Sequence, residues 1–138
     1  MGLEQFLKSD LIWINASCKK PQDIFEMVAL KAREGNRVTE NFLEKILERE
    51  RVFPTGLQLD GYAVAIPHTD PECVNEQFIA VITSDEGILF KRMDDPNEEV
   101  VANAIFMLGL NEPHNQLEVL QQLVAILQDR TSVEKMLL

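Results

Sequence analysis

Basic charge, cysteine, histidine and long apolar runs are all scarce in this chain. Lys and Arg number 13 against 23 Asp and Glu, a formal net charge of -10. Nucleic acid demands a basic footprint, and anionic lipid demands a polybasic patch, so neither is an expected partner. Cys18 and Cys73 stand far apart with no CxxC. They make no disulfide framework, and a reducing cytoplasm is the expected setting. The opening MGLEQFLKSD has no basic region and no apolar core, so it does not read as a signal peptide. Phe6 occupies the position where myristoylation needs Ser or Thr. The longest apolar stretch, VVANAIFMLGL, is broken by Asn103 and is too short to cross a bilayer. There is no GxSxG, no Walker glycine loop and no dinucleotide fingerprint, which argues against serine hydrolysis and nucleotide binding.

What remains is an ordinary globular composition, 46% apolar and 26% charged over 138 residues, and it predicts one domain across 1–138 with a single fold unit. Leu11 to Ile14 reads as a short strand. Pro21 suits the first turn of a helix that carries Phe25, Val28, Ala29 and Ala32 on one face and stops at Gly35-Asn36. Thr39 is the expected cap of a second helix, with Phe42, Leu43, Ile46 and Leu47 inward. Tyr62 to Ile66 and FIAVIT (78–83) read as strands. Asp85-Glu86-Gly87 reads as a turn returning Ile88 to Phe90 as a hairpin partner. Val100 to Leu110 is a further strand. Pro113 opens a helix with Leu117, Leu120, Leu123, Val124 and Leu127 inward, and a last short helix is expected near Ser132. Helices alternate with strands, two of which look buried on both faces. That predicts an α/β fold, a three-layer αβα sandwich with a mixed sheet.

The only two histidines both fall at element ends. His68 follows Ala65-Ile66-Pro67, where proline is expected to stop ladder pairing and leave the next side chain projecting at a sheet end. A neutral imidazole is a good nucleophile near neutral pH and a known class of covalent phosphoryl acceptor. His114 follows Pro113 at a helix start, where free N–H groups favour an anion. Arg49 lies in the run Glu48 to Arg51, whose like-charged i,i+4 neighbours do little for the helix, and its guanidinium fork matches phosphate oxygens. Each residue has a plainer reading: a loop-surface histidine for His68, a turn residue for His114, a solvated helix face for Arg49. His68, Asp70, Cys73 and His114 are also metal-ligand types, although H-x-D-x-x-C is not a strong zinc spacing.

FPTGLQLDGYAVAIPHTDPECV, with its AIPH block and upstream PTG, resembles the cytoplasmic enzyme IIA of the fructose–mannitol class of the bacterial phosphoenolpyruvate:sugar phosphotransferase system. It is especially similar to the galactitol-specific branch, and the resemblance runs along almost the whole chain. It implies a phosphotransferase that carries a phosphoryl group from the phosphocarrier protein HPr to a cysteine of a cognate enzyme IIB. A membrane enzyme IIC on another polypeptide then admits the sugar, here galactitol. By motif, His68 is the phosphorylated residue, His114 the second active-site histidine and Arg49 the active-site arginine. No cofactor and no metal are implied. The chain departs from the wider class in having Pro113 directly before His114, with Glu112 one step back, and Thr69-Asp70 after His68. A regulatory, nitrogen-type enzyme IIA acting through protein binding is the alternative, and the favoured ring nitrogen of His68 is left open.

Overall fold

In the computed structural model of the chain, residues 3–59 and 61–128 are described. A 3-10 turn at Leu3–Phe6 leads into β1, Leu7–Trp13. Helix α1, Pro21–Glu34, has proline in its first turn, Asp23 near its positive end, and Lys31 and Arg33 near its negative end. Its face Ile24, Phe25, Val28, Ala29, Ala32 is buried, as the 3.6-residue spacing predicts. Asn36, with φ +56°, takes the left-handed conformation that stops the helix. Helix α2, Phe42–Val52, buries Phe42 and Ile46. Its cap is Asn41, not Thr39. The Thr39 hydroxyl bonds the Asn41 side chain instead of a helix N–H.

Four more strands follow: β2 (Gly56–Leu59), β3 (Tyr62–Ala65), β4 (Phe78–Lys91) and β5 (Glu99–Gly109). Helix α3, Pro113–Gln128, closes the described chain. The expected turn at Asp85-Glu86-Gly87 is a correction. β4 runs through it as one strand, paired with β5 on both sides of a register shift between Thr83 and Ile88. Gly87 sits at φ +83°, and Asn103 Nδ2 donates to the Ser84 carbonyl at 2.9 Å. A bulge fed by a partner side chain therefore replaces the turn. The hairpin is β4–β5, closed through the loop containing Asp94 to Asn97. The helix expected near Ser132 lies outside the described residues.

The sheet order is β1-β4-β5-β3-β2. β1 and β4 are parallel, as are β3 and β5, while β4–β5 and β2–β3 are antiparallel. The sheet is therefore mixed, as expected. Alternation sends Ala63, Ala65, Ala80, Ile82, Ile105 and Met107 into a core beneath α1 and α2, and β5 changes phase opposite the bulge, so that Val100 and Ala102 join the same core. Val64, Ile66, Ile79, Phe106 and Leu108 go to a second core with Val119 and Leu123 of α3. Helices thus cover both faces, which makes the three-layer sandwich. Of the inward α3 positions expected, Leu123 is buried and Leu120 packs against it. Val119 joins them, and the side chains of Leu117 and Leu127 lie outside the described ones. Among the described residues no helix is long and apolar enough to cross a membrane.

This topology determines what meets at one sheet end. β3 and β5 are parallel neighbours, Ala65 pairing with Ile105, so both deliver their C-terminal ends to the same edge. β2 is antiparallel to β3, with Gly56 opposite Ala65, so β2 begins at that edge. The end of α2, the segment after β3 and the start of α3 consequently lie at one end of the sheet, where open α/β sheets place their ligands.

Candidate functional site

His68 stands three residues beyond β3 and is half-buried. The ladder does not stop at Pro67, as expected from its missing N–H. The Pro67 carbonyl accepts from Leu108 N at 2.9 Å, and His68 itself bridges Leu108. Proline removes a donor and leaves an acceptor, so one-sided pairing continues. That pairing seats the histidine backbone against β5.

The imidazole is fixed as well. His68 Nδ1 lies 2.9 Å from the Ile66 carbonyl oxygen. A carbonyl only accepts, so Nδ1 must carry the proton, and Nε2 presents its lone pair. Among the described residues none hydrogen-bonds Nε2. Burial holds the ring's pKa below the usual 6.5, the Ile66 bond opposes that shift, and the Arg49 charge adds to it. The ring is therefore a neutral nucleophile at neutral pH.

Arg49 arrives from the last turn of α2. Its guanidinium lies 4.9 Å over the Phe53 ring and 3.9 Å from Asp70 Oδ1. That ion pair is long and half-exposed, worth well under about 1 kcal/mol. Arg49 Nε is buried and hydrogen-bonds no described residue. A buried unpaired donor is costly, and Arg37 Nε is in the same condition. Arg49 and Asp70 line an open cleft of about 280 Å³ with Lys45, Glu48, Phe53 and Thr69. Phe53 and Val52 are exposed at its rim, 59% and 49% accessible.

The three residues expected at the site are thus brought toward one sheet end in differing degrees. Arg49 is close enough to His68 to act on its charge. His114 is the second residue of α3, five positions past Gly109 at the end of β5, so its backbone belongs to the same edge. Its side chain lies outside the described ones. Of the metal-ligand types, Cys73 is buried and Asp70 pairs with Arg49. No three His, Cys, Asp or Glu side chains among the described residues converge on a common point. Sequence reasoning missed Glu50 and Thr55. The Glu50 carboxylate accepts from Thr55 N at 2.8 Å and Thr55 Oγ1 at 2.7 Å. The PTG motif containing Thr55 was the available signal, but spacing alone does not pair it with an acid in the helix before.

The His68 imidazole is thus neutral and held in one tautomer, and the charge of Arg49 reaches it. The family model described as "Phosphoenolpyruvate-dependent sugar phosphotransferase system, EIIA 2" matches residues 5–137, and the chain belongs to that family. EIIA components are phosphotransferase domains that carry phosphoryl groups. The chain is 29% identical to the galactitol-specific EIIA component of Escherichia coli K12 over 100 residues, 72% of this chain and 66% of that one. It therefore spans just under two thirds of that relative's length. Among solved structures, nitrogen regulatory protein IIA-Ntr of Neisseria meningitidis superimposes with TM-score 0.78 at 25% identity, covering 97% of this chain and 89% of that one. The complex of enzyme IIAMTL with phosphorylated enzyme IIBMTL from Escherichia coli gives TM-score 0.73 at 20% identity, covering 94% and 86%. In that complex an EIIA domain is seated on its EIIB.

Proposed function

We propose that this chain carries a phosphoryl group on Nε2 of His68, taking it from phospho-HPr and giving it to a cysteine of an enzyme IIB that serves a membrane enzyme IIC. The observation that carries this is the 2.9 Å contact between His68 Nδ1 and the Ile66 carbonyl, because it leaves Nε2 as the free nucleophile.

In the first handoff the Nε2 lone pair attacks phosphorus as the donor's P–N bond breaks. The donor imidazole leaves neutral, and the His68 ring becomes cationic while keeping its Nδ1 proton against Ile66. In the second handoff a cysteine thiolate attacks, the P–N bond at Nε2 breaks, and His68 returns to its starting tautomer. Neither step needs a net proton at the ring. A loose phosphoryl transition state asks for alignment and for charge on its equatorial oxygens to be met. Arg49, through Nε and its terminal nitrogens, is assigned that second role, and His114 is assigned a place beside it at the start of α3. The exposed Val52 and Phe53 supply apolar rim to a docked partner.

Galactitol is the proposed cargo of the pathway, supported by the likeness to the galactitol-specific relative. The likeness to a nitrogen regulatory IIA protein favours a second reading, signalling through protein binding. The test incubates the protein with phosphoenolpyruvate, enzyme I and HPr, maps the modified residue by mass spectrometry, and then adds a galactitol-type enzyme IIB. Label on His68 that moves to the enzyme IIB cysteine is the expected result. Label that stays on His68 favours the regulatory reading, and label persisting in His68→Ala rejects the site.

A further inference from the structure

Arg49 and Glu50 are consecutive, and the helix turns them to different sides. Arg49 faces the cleft beside Asp70, while Glu50 faces a second cleft walled by Pro21, Phe25, Leu47 and Phe90. A carboxylate among such neighbours is poorly solvated, and burial pushes its pKa up to about 7. It is nonetheless fully engaged. Thr55, 2% exposed, gives it both of its donors, the backbone N–H at 2.8 Å and the hydroxyl at 2.7 Å. A carboxylate is an acceptor-only group with two oxygens, so it matches a residue presenting two donors.

The contacts continue in one direction. The Thr55 carbonyl accepts from Ile66 N at 3.2 Å, and the Ile66 carbonyl accepts from His68 Nδ1 at 2.9 Å. The backbone at this point has no slack. A Cβ on Gly56 would lie 2.5 Å from the Lys91 carbonyl oxygen, so the chain after Thr55 is pressed directly onto the end of β4. Ile66 is itself 2% exposed. Moving Thr55 therefore moves the carbonyl that sets the imidazole.

We propose that Glu50 is the positioning residue for His68: by gripping Thr55 it holds the Ile66 carbonyl where it fixes the ring's tautomer and aims Nε2. The link is mechanical. The N–H and C=O of Thr55 belong to different peptide groups, and so do those of Ile66, so no single polarised chain joins the acid to the ring. What Glu50 supplies is a second-layer support of the kind that keeps reactive groups within a fraction of an ångström of alignment.

The consequence for transfer rate rests on the carrier role proposed above; the consequence for the ring does not. The experiment uses the full chain labelled with 15N, with two-bond imidazole spectra above the titration of His68, alongside steady-state transfer from phospho-HPr. Wild type is expected to show one tautomer, protonated at Nδ1. Glu50→Leu is expected to mix the tautomers and slow transfer about tenfold or more, leaving KM for phospho-HPr unchanged. Glu50→Gln is expected to keep the wild-type tautomer and most of the rate, because its amide oxygen takes the Thr55 N–H and its NH2 donates to the Thr55 hydroxyl. Thr55→Val, which removes only the hydroxyl donor, should fall between, and it decides the matter if Glu50→Leu does not fold. Wild-type spectra and rate in Thr55→Val or Glu50→Leu overturn the proposal. So does a Glu50→Gln variant as impaired as Glu50→Leu. If wild type takes no label on His68, the carrier role fails, and the tautomer spectra still decide the part played by Glu50.

Discussion

His68 and Arg49 approach each other without forming a bond, and each alters what the other can do. The guanidinium helps keep the imidazole neutral, and the imidazole, being neutral, does not compete for the guanidinium, which reaches Asp70 at 3.9 Å and keeps Nε unpaired. Arg49 is thus expected to act twice, on the nucleophile's protonation and on the transferred group.

The first effect is measurable by titration. Burial, then the Arg49 charge, place the His68 pKa below 6.5. Protons are therefore bound more readily by the unfolded chain than by the native ring near pH 6. The native ring's contribution to stability is present above pH 6.5 and is lost as pH falls through the native pKa. Phosphoryl acceptance should accordingly persist below the pH at which an ordinary histidine is half protonated. Arg49→Ala should move the NMR midpoint of His68 part of the way up, because the larger cause, burial, remains. A midpoint at or above 6.5 in wild type contradicts this account.

The second effect is kinetic. Loss of one donor aimed at developing charge costs about 10²-fold or more in rate. Arg49→Ala should lower transfer to His68 by that order, while Arg49→Lys, a point charge without the planar fork, recovers only part. Unchanged single-turnover rates in Arg49→Ala would remove Arg49 from the site.

Asp70 competes for the same guanidinium at 3.9 Å. Its pairing is a weak, half-exposed one, so releasing it is a small gain of about twofold. Asp70→Asn should lengthen the lifetime of phospho-His68 and slow onward transfer to enzyme IIB by a factor of that size. The measurement is decay of labelled protein with and without acceptor, and identical decay curves exclude a tuning role for this carboxylate.

Glu50 gives a stability prediction whose sign is unusual for an acid. Its native pKa, about 7, lies above the ordinary value of 4.5. Between those values the native state holds a proton that the unfolded chain has released, so stability declines as pH rises from about 4.5 to 7. The shift corresponds to up to about 3 kcal/mol. Arg51, Lys91 and Glu99 share its cleft and carry the only other charges there among the described lining residues. Urea midpoints of Glu50→Gln and wild type should coincide near pH 4.5 and separate above pH 7, with the variant more stable. Parallel curves across that range would mean that the carboxylate is better solvated than its surroundings imply.

These relationships divide sharply in how visible they are in the chain itself. The amphipathic face of α1, its proline start and its Gly35-Asn36 stop are local properties, and local chemistry was enough. The same holds for β5, whose apolar run is long enough to be unambiguous. The segment Ser84 to Gly87 misled because Asp, Glu and Gly favour a turn in isolation. Asn103 of the neighbouring strand holds it as a bulge instead, a contact between residues 19 apart. At the site, AIPH and the histidines could be picked out as chemistry at element ends. The choice of Nε2 could not, because it depends on where the Ile66 carbonyl points. Nor could the bond from Glu50 to Thr55, which exists only once α2 and β2 meet at the sheet end.

Gly109 tests whether that sheet end is as tightly built as the placement of His68 requires. It is the last residue of β5, directly after Leu108, the residue that bridges His68. A Cβ there would lie 2.2 Å from the Phe78 ring. Phe78 is fully buried and its ring packs tilted against Phe42 of α2, centroids 6.3 Å apart, so movement of the ring must displace its neighbours. Gly109→Ala must displace either the ring or the strand, at about 1–3 kcal/mol by thermal or urea unfolding. If the strand moves, Leu108 shifts with it and transfer to His68 slows; if the ring moves, stability falls and the rate is kept. Measuring both in one variant separates the two responses, and an unchanged midpoint would show that the sheet end tolerates more movement than its packing allows.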